Sequence, residues 1–330
     1  MAMILRRWQR FIWLLPALAV FGCRPETLEV IESGSFFRRQ AVRFYMATRD
    51  RDLAKVAAAL AIAEVKRLEA AYDPMNTAGV LYQLNERRVS QDRELYQLLQ
   101  RGQEVSNLTR GRYSLFMAFP EKAYGFGNLY PEPPSLNLLR ETMLPIRRAV
   151  LELLPEGTET YLPNDAYAIS LTGLIEGYVA DQALAHLRLA GVGQAMVQLG
   201  AYAACGPSPD GLGWPLSIRH PLADTVIAQL FLESRSAATV SVAEQAFVYR
   251  GETYYNNLDP ITGMPARKFL SVTVVAPSSE QAATLAKGIF SMAPTEALLL
   301  LNELAEVDGL LIDPDGRLWR SDSLEVWRGD

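Results

Sequence analysis

Apolar side chains recur every three or four positions over residues 52–72, with Leu53, Val56, Leu60, Ala63 and Leu68 near one side. That spacing predicts an amphipathic helix, ended by Asp73-Pro74. Residues 79–85 hold Leu81 and Leu84 in a short segment before a charged turn, and 93–108 predict a second helix with Leu95, Leu98, Leu99 and Val105 on its apolar face. The stretch 121–135, rich in Gly, Pro and aromatics, reads as a surface excursion. Residues 136–154 read as a helix interrupted by Pro145. A strand over 167–171 leads into a helix over 174–189, and 195–199 is a further strand. Strand character continues over 237–249 and 253–258. Residues 271–275 are a buried β-branched strand, and helices follow over 280–292 and 293–307. Asp313-Pro314-Asp315-Gly316 between two apolar triplets is a hairpin signal, and 324–327 adds a last strand. This alternation predicts an α+β (α/β mixed) class.

The N-terminus follows a different pattern. Arg6, Arg7 and Arg10 precede an apolar run over 11–21 that is too short for a typical membrane span. It closes on Val20-Phe21-Gly22-Cys23, a lipoprotein processing signal. The expected organisation is a signal peptide over 1–22, a polar and loosely ordered tether over 23–40 beginning at an acylated Cys23, and one domain over 41–330. The implied partner is a lipid bilayer. Arg24 after the lipidated residue favours the outer membrane, with the domain on the periplasmic side.

Composition narrows the chemistry. The formal charge of −5 becomes −8 once the three arginines of residues 1–22 are removed, so nucleic acid is not an expected partner. The second cysteine, Cys205, has no thiol to pair with and reads as a small buried hydrophobe. The two histidines, His186 and His220, are far apart in sequence, which gives no basis for a histidine-rich zinc site.

Three motifs carry the functional reading. Gly173-Leu174-Ile175-Glu176-Gly177-Tyr178-Val179-Ala180-Asp181 places glycines where a strand gives way to a helix. Such a helix start can offer free N–H groups and a positive dipole to an anion. Asn256-Asn257-Leu258-Asp259-Pro260-Ile261-Thr262-Gly263-Met264-Pro265 is a turn cluster with an acid near its head. It is followed by Ser271-Val272-Thr273-Val274-Val275-Ala276-Pro277 and then by the helix holding Ala283 and Lys287. In this order, with Gly79–Asn85, Thr109–Ser114 and Gly200-Ala201-Tyr202 between, the chain resembles the FAD:protein FMN transferases, the ApbE-type periplasmic lipoproteins.

The resemblance implies a two-lobed domain with mixed sheets flanked by helices around a central flavin cleft. It also implies FAD as cofactor, Mg²⁺, and transfer of FMN to a Thr of an envelope redox protein. By the same resemblance Gly173, Gly177, Tyr178, Asp181, Gly200, Asn256, Thr262 and Gly263 are cofactor-binding positions, Asp259 is the candidate catalytic acid or base, and Gly111 supplies an unusual backbone geometry. The departures fall on the metal and phosphate positions. The family's acids are Ser114, Ser170 and Tyr202 here, its Lys is Glu176, and Ile175, Ala283 and Lys287 stand at its metal site. Mg²⁺ is usually held by at least one carboxylate. The expectation is therefore a divergent member with weakened or lost transfer and residual flavin binding. Two alternatives stay open: an active transferase recruiting Asp259, Thr262 and Glu280, and an unrelated binding lipoprotein. Glu176 and Lys287 are further expected to form an ion pair in the emptied site.

Overall fold

The computed structural model describes residues 29–325 apart from 127 and 156–157; Cys23 and the expected signal peptide lie outside them. The first elements are β1 (Glu29–Phe37), β2 (Gln40–Thr48), α1 (Arg51–Tyr72), α2 (Val80–Arg87), β3 (Val89–Ser90), α3 (Arg93–Leu108), α4 (Ala118–Tyr124) and α5 (Leu136–Ile146). Then come β4 (Glu152–Leu154), β5 (Glu159–Tyr161), α6 (Leu174–Leu189), β6 (Ala195–Leu199), β7 (Ala201–Cys205), β8 (Trp214–Arg219), β9 (Val226–Leu232) and β10 (Ser236–Ser241). The chain closes with β11 (Phe247–Tyr249), β12 (Glu252–Tyr254), β13 (Ser271–Ala276), α7 (Ser279–Ile289), α8 (Pro294–Glu303), β14 (Asp308–Ile312) and β15 (Leu318–Arg320).

The spine is an eight-stranded sheet in the order β1-β2-β6-β7-β10-β13-β14-β15. Its ladders are all antiparallel. One face carries a helix layer that follows the strand order: α1 lies over β1 and β2, α6 over β6 and β7, α7 over β10 and β13, and α8 over β14 and β15. The β8–β9 hairpin covers the other face, with Trp214, Leu216, Ile218, Leu230 and Leu232 packed on Met196, Ala237 and Val275. These two covers explain two sequence patterns. In β13 every residue is buried, because both faces are packed. In β8 burial alternates, because one face meets solvent.

Several expectations are corrected. The tether is, over its described part, strand β1 in nine-residue register with β2, so it belongs to the sheet. The buried stripe of α1 is Ala54, Ala57, Ala58, Ala61, Val65, Leu68 and Tyr72, while Val56 and Leu60 are exposed. Alanines win that face because they let α1 approach α6 closely, where Ala180 and Ala183 are also fully buried. Residues 79–85 are the start of α2, and 121–124 are the end of α4 rather than a loop. The helix expected over 136–154 stops at Ile146, just after Pro145. Leu324 is buried but is not in a strand.

Residues 167–171 are also not a strand. The Asn85 side chain substitutes for a neighbouring strand there: its Nδ2 donates to the Ile169 carbonyl at 2.9 Å, and its Oδ1 accepts from the Ile169 N–H at 2.8 Å. Ser170 N–H donates to the Leu115 carbonyl at 2.7 Å. The segment needs no ladder because its buried polar groups are satisfied this way. Asn85→Ala is expected to leave both Ile169 groups unpaired and to cost about 2–4 kcal/mol in denaturant unfolding.

Candidate functional site

The site forms where α6 starts, where α7 passes it, and where the turn at 259–265 folds over both. Gly173 precedes α6 with φ +87°, a region that favours glycine. A Cβ there would lie 2.8 Å from Lys287 Cδ of α7. Gly177, one turn on, touches the start of α7: a Cβ would lie 2.4 Å from the Ser279 carbonyl oxygen. One turn further, Asp181 accepts from the N–H groups of Ser279 at 2.8 Å and Glu280 at 2.9 Å. Positions 173, 177 and 181 thus form a single stripe along α6, and that stripe fixes where α7 lies.

Lys287 projects from α7 toward the turn. Its side chain is 12% exposed, and its ammonium donates to the Asn256 carbonyl at 3.3 Å and lies 3.8 Å from the Glu121 carboxylate. The other Glu121 oxygen accepts from Ser170 Oγ at 2.6 Å and Thr172 Oγ1 at 3.0 Å. The turn is built by Asp259, whose carbonyl accepts from Gly263 N–H at 2.7 Å and whose Oδ1 accepts from Ile261 N–H at 2.9 Å. Its Oδ2 lies 3.8 Å from the Arg112 guanidinium. Gly263, at φ +72°, packs on Met143 and Leu139 of α5, where a Cβ would meet atoms at 2.7–2.8 Å. Arg112, Tyr113, Ser114, Met117, Glu121, Leu258, Pro260 and Lys287 line the resulting cleft. Gly111 sets up the first of these with φ +77°, as expected.

The ApbE family profile matches residues 39–311. The chain belongs to the ApbE family. It is 27% identical over 270 residues to the FAD:protein FMN transferase of Treponema pallidum, covering 76% of this chain and 74% of that protein. It is 24% identical over 229 residues to the same-named protein of Klebsiella pneumoniae, covering 68% and 70%. The fold matches the ApbE protein of Thermotoga maritima with TM-score 0.81 at 23% identity, over 89% of this chain and 98% of that one. The flavin transferase ApbE of Vibrio cholerae matches with TM-score 0.76 at 19% identity, over 90% and 98%.

Leu258 and Pro260 of the turn and Lys287 of α7 line one cleft, and the start of α6 adjoins it only through Gly173, which packs against the Lys287 stem. Within it the expected cofactor positions separate into two groups. Gly173, Asn256, Asp259 and Gly263 are at or beside the cleft. Gly177 and Asp181 face α7. The Tyr178 hydroxyl donates to Glu94 at 2.7 Å and its ring carries the Arg101 guanidinium at 5.5 Å, on the α3 side. Gly200 sits in the β6–β7 turn at φ +58°, beside Gln40. Thr262 is exposed, and its hydroxyl accepts from Met264 N–H. The start of α6 is not open to an anion as anticipated. Gly173 N–H donates to the Glu176 carboxylate at 3.0 Å, and the Leu174 and Ile175 N–H groups go to the Leu171 carbonyl.

The expected Glu176–Lys287 pair is not formed. Glu176 caps its own helix and faces Arg38 at 3.6 Å, while Lys287 faces Glu121. Neither partner was evident from sequence. Glu121 lies in the stretch read as a surface excursion, and Arg38 in the stretch read as a tether. Arg38 sits in the β1–β2 turn at φ +47° and is anchored by its N–H to Glu69 at 2.6 Å. Arg112 lies within the Thr109–Ser114 motif, and its charge is the signal that the sequence offers. Cys205 is buried as expected, and burial pushes its thiol up.

The donor set does not fit a magnesium ion. Ala283 offers no oxygen and is packed in the core, Ile175 is fully buried, and Lys287 brings a positive charge. The Thr284 hydroxyl donates to the Glu280 carbonyl of its own helix at 2.8 Å. Glu280 is held by Arg101 at 2.6 Å in the first turn of α7, two turns from Lys287. Among the described residues no three acidic, histidine or cysteine side chains converge.

The α6–α7 clamp has a pH signature. Burial pushes the Asp181 carboxyl up from the ordinary 3.8 to about 7, against the pull of its two N–H donors. The folded chain then binds a proton that the unfolded chain does not, so this group's contribution to stability falls as pH rises through that window. Glu94 and Asp308, held below the usual range, act in the opposite sense. The difference between native chain and Asp181→Asn isolates the clamp. In urea unfolding, the native chain is expected to lose stability relative to Asp181→Asn between about pH 4 and about pH 7, and a flat difference would contradict the assignment.

Proposed function

We propose that this chain is a lipid-anchored ApbE-family protein of the periplasmic face that keeps a flavin-nucleotide cleft, while its Mg²⁺-dependent transfer of FMN is lost or greatly weakened. The observation that carries this reading is the Lys287 ammonium. It comes from the α7 position where the family has a metal-binding Thr, and it is held between the Asn256 carbonyl and Glu121. Phosphoryl transfer of this kind relies on a cation that bridges and neutralises the phosphates as charge develops. A single ammonium supplies one charge and no coordination geometry, so several orders of magnitude in rate are forfeited.

A rearranged active centre has less support. Of the oxygens available to it, Glu280 is paired with Arg101, the Thr262 side chain is exposed, and Asp259 is committed to its own turn and to Arg112. The remaining capacity is recognition: a cleft with two cations and apolar walls, on a protein placed beside envelope redox partners by Cys23. Anchoring through an acylated Cys23 is part of the same proposal and is checked by mass spectrometry of the N-terminal peptide.

The test combines binding and transfer. Titration of the mature chain with FAD is expected to show saturable binding. Incubation with FAD, Mg²⁺ and an acceptor peptide bearing the target Thr is expected to give no FMN adduct by mass spectrometry. Stoichiometric Mg²⁺-dependent labelling would overturn the loss of transfer.

A further inference from the structure

Helix α1 is apolar on two faces. Its buried stripe runs from Ala54 to Tyr72 and packs into the core. A second set, Val56, Ala59, Leu60 and Ala63, follows the i, i+3, i+4, i+7 spacing of a single helix face. At 3.6 residues per turn this set points away from the buried stripe, on the opposite side of the helix. All four residues are exposed, Val56 by 58% and Leu60 by 46%. A helix face turned to water ordinarily carries charged and polar side chains. Residues 56–63 hold none, and Lys55 and Lys66 stand to either side of the stretch.

The place of this stripe in the molecule is fixed by β1. Glu29, the first residue of β1, pairs in register with Thr48. Thr48 Oγ1 accepts from the N–H of Asp50, the residue that caps α1. The starts of β1 and α1 are therefore side by side. At its other end β1 runs into Arg38, whose N–H donates to Glu69 in the last turn of α1 and whose guanidinium faces Glu176 at the start of α6. The nine residues of β1 thus separate the point where the chain enters the sheet from the cleft end by roughly 27 Å. Only six residues lead from Cys23 to Glu29, a reach of about 20 Å at full extension. An acylated Cys23 therefore brings the start of α1 to the bilayer. Leu136, Leu138 and Leu144 of α5 are exposed as well, but α5 packs on Gly263 of the cleft turn, at the other end of that span.

We propose that the outer stripe of α1, Val56, Ala59, Leu60 and Ala63, is a membrane-contact face that rests at the boundary between the headgroups and acyl chains of the bilayer. The proposal rests on the acylation of Cys23 put forward with the function. Lipid is the occupant because the segment that ends in the acyl chains leaves the domain beside this stripe. An uncharged helix face bordered by lysines also suits shallow burial at that boundary. The acyl chains supply retention and the stripe supplies orientation. Tethering makes the contact intramolecular, so a small apolar area suffices. The contact fixes how the cleft is turned relative to the membrane, which a linker of six residues alone leaves free.

The test uses the full mature chain with its own lipid, reconstituted in vesicles of phosphatidylethanolamine and phosphatidylglycerol. An environment-sensitive fluorophore is attached at Ala59→Cys in the stripe or at Ser217→Cys, an exposed position of β8 on the other side of the sheet. Cys205 is buried, so the introduced thiol is the one that reacts. Lipids spin-labelled on their acyl chains are expected to quench the Ala59→Cys label and to leave the Ser217→Cys label bright. Adding Val56→Gln and Leu60→Gln, which keep good helix formers at exposed positions, is expected to abolish that quenching while the chain still floats with the vesicles. Thermal melts confirm that each variant is folded. Equal quenching at the two positions, an unquenched Ala59→Cys label on a chain that floats, or quenching that survives the double substitution would each overturn the contact alone. A chain that does not float, with an unmodified Cys23 by mass spectrometry, would overturn the anchoring reading and the contact with it.

Discussion

The chemistry of the cleft depends on how closely α7 approaches α6. That approach is set by one stripe of α6 with a four-residue repeat. Gly177 removes the side chain that would collide with the Ser279 carbonyl. Asp181 then reaches two N–H groups at the start of α7, where an acceptor completes the unpaired end of a helix. Gly173, at the opposite end of the stripe, leaves space for the Lys287 stem. A bulkier residue at 177 would lift α7, and Lys287 would then miss both Asn256 and Glu121. The position of a charge in the cleft is thus decided by backbone contact two turns away from it.

Within that frame, the cleft balances its own charge through loose pairs. Arg112 and Lys287 each face a carboxylate at 3.8 Å. In a partly buried site an unpaired charge is costly, so each cation needs a counter-charge. Pairs beyond hydrogen-bond distance meet that need without saturating the donors. The tight network of Arg67, Glu64, Glu94 and Tyr178 on the far side of α6 differs in kind. There each donor has a partner near 2.8 Å, and the network ties α1, α3 and α6 together.

Much of this was readable from sequence. Residues 93–108 and 174–189 carry strong helical spacing, and both helices run over those residues. The turn at 259–265 carries its own chemistry in Asp259, Pro260 and Gly263. What was not readable has a physical cause in each case. Alanine stripes carry little hydrophobic contrast, so the larger Val56 and Leu60 weigh in the orientation of α1 although they face solvent. Residues 167–171 have strand composition, but their partner is the side chain of Asn85, and a side-chain ladder leaves no periodic signal. The edge strand β1 mixes apolar and polar residues on both of its faces, so its sequence carries no clean alternation. Arg38 and Glu121 were missed because each acts through a contact remote in sequence, with residues 69 and 176 in one case and 170, 172 and 287 in the other.

The pattern of what matches the family and what departs from it follows from these roles. Gly177, Asp181 and Gly263 are among the positions on which the resemblance rests; a side chain at either glycine would meet backbone or close-packed atoms, and Asp181 caps the start of α7. Tyr178 matches as well, and it faces the charged network rather than the cleft. The departures at Glu176, Ala283 and Lys287 sit where a side chain can change without moving the backbone. Glu176 can cap α6 by itself, Ala283 fills core space, and Lys287 lies in a groove that a missing Cβ already provides. Such positions can exchange chemistry while the scaffold stays fixed, since fold and site are separable. Motif matches in this chain therefore certify the seam between α6 and α7. The chemistry has to be read from the side chains at the cleft, and those are the Lys287 ammonium and the Arg112 guanidinium with their carboxylate partners rather than a set of metal ligands.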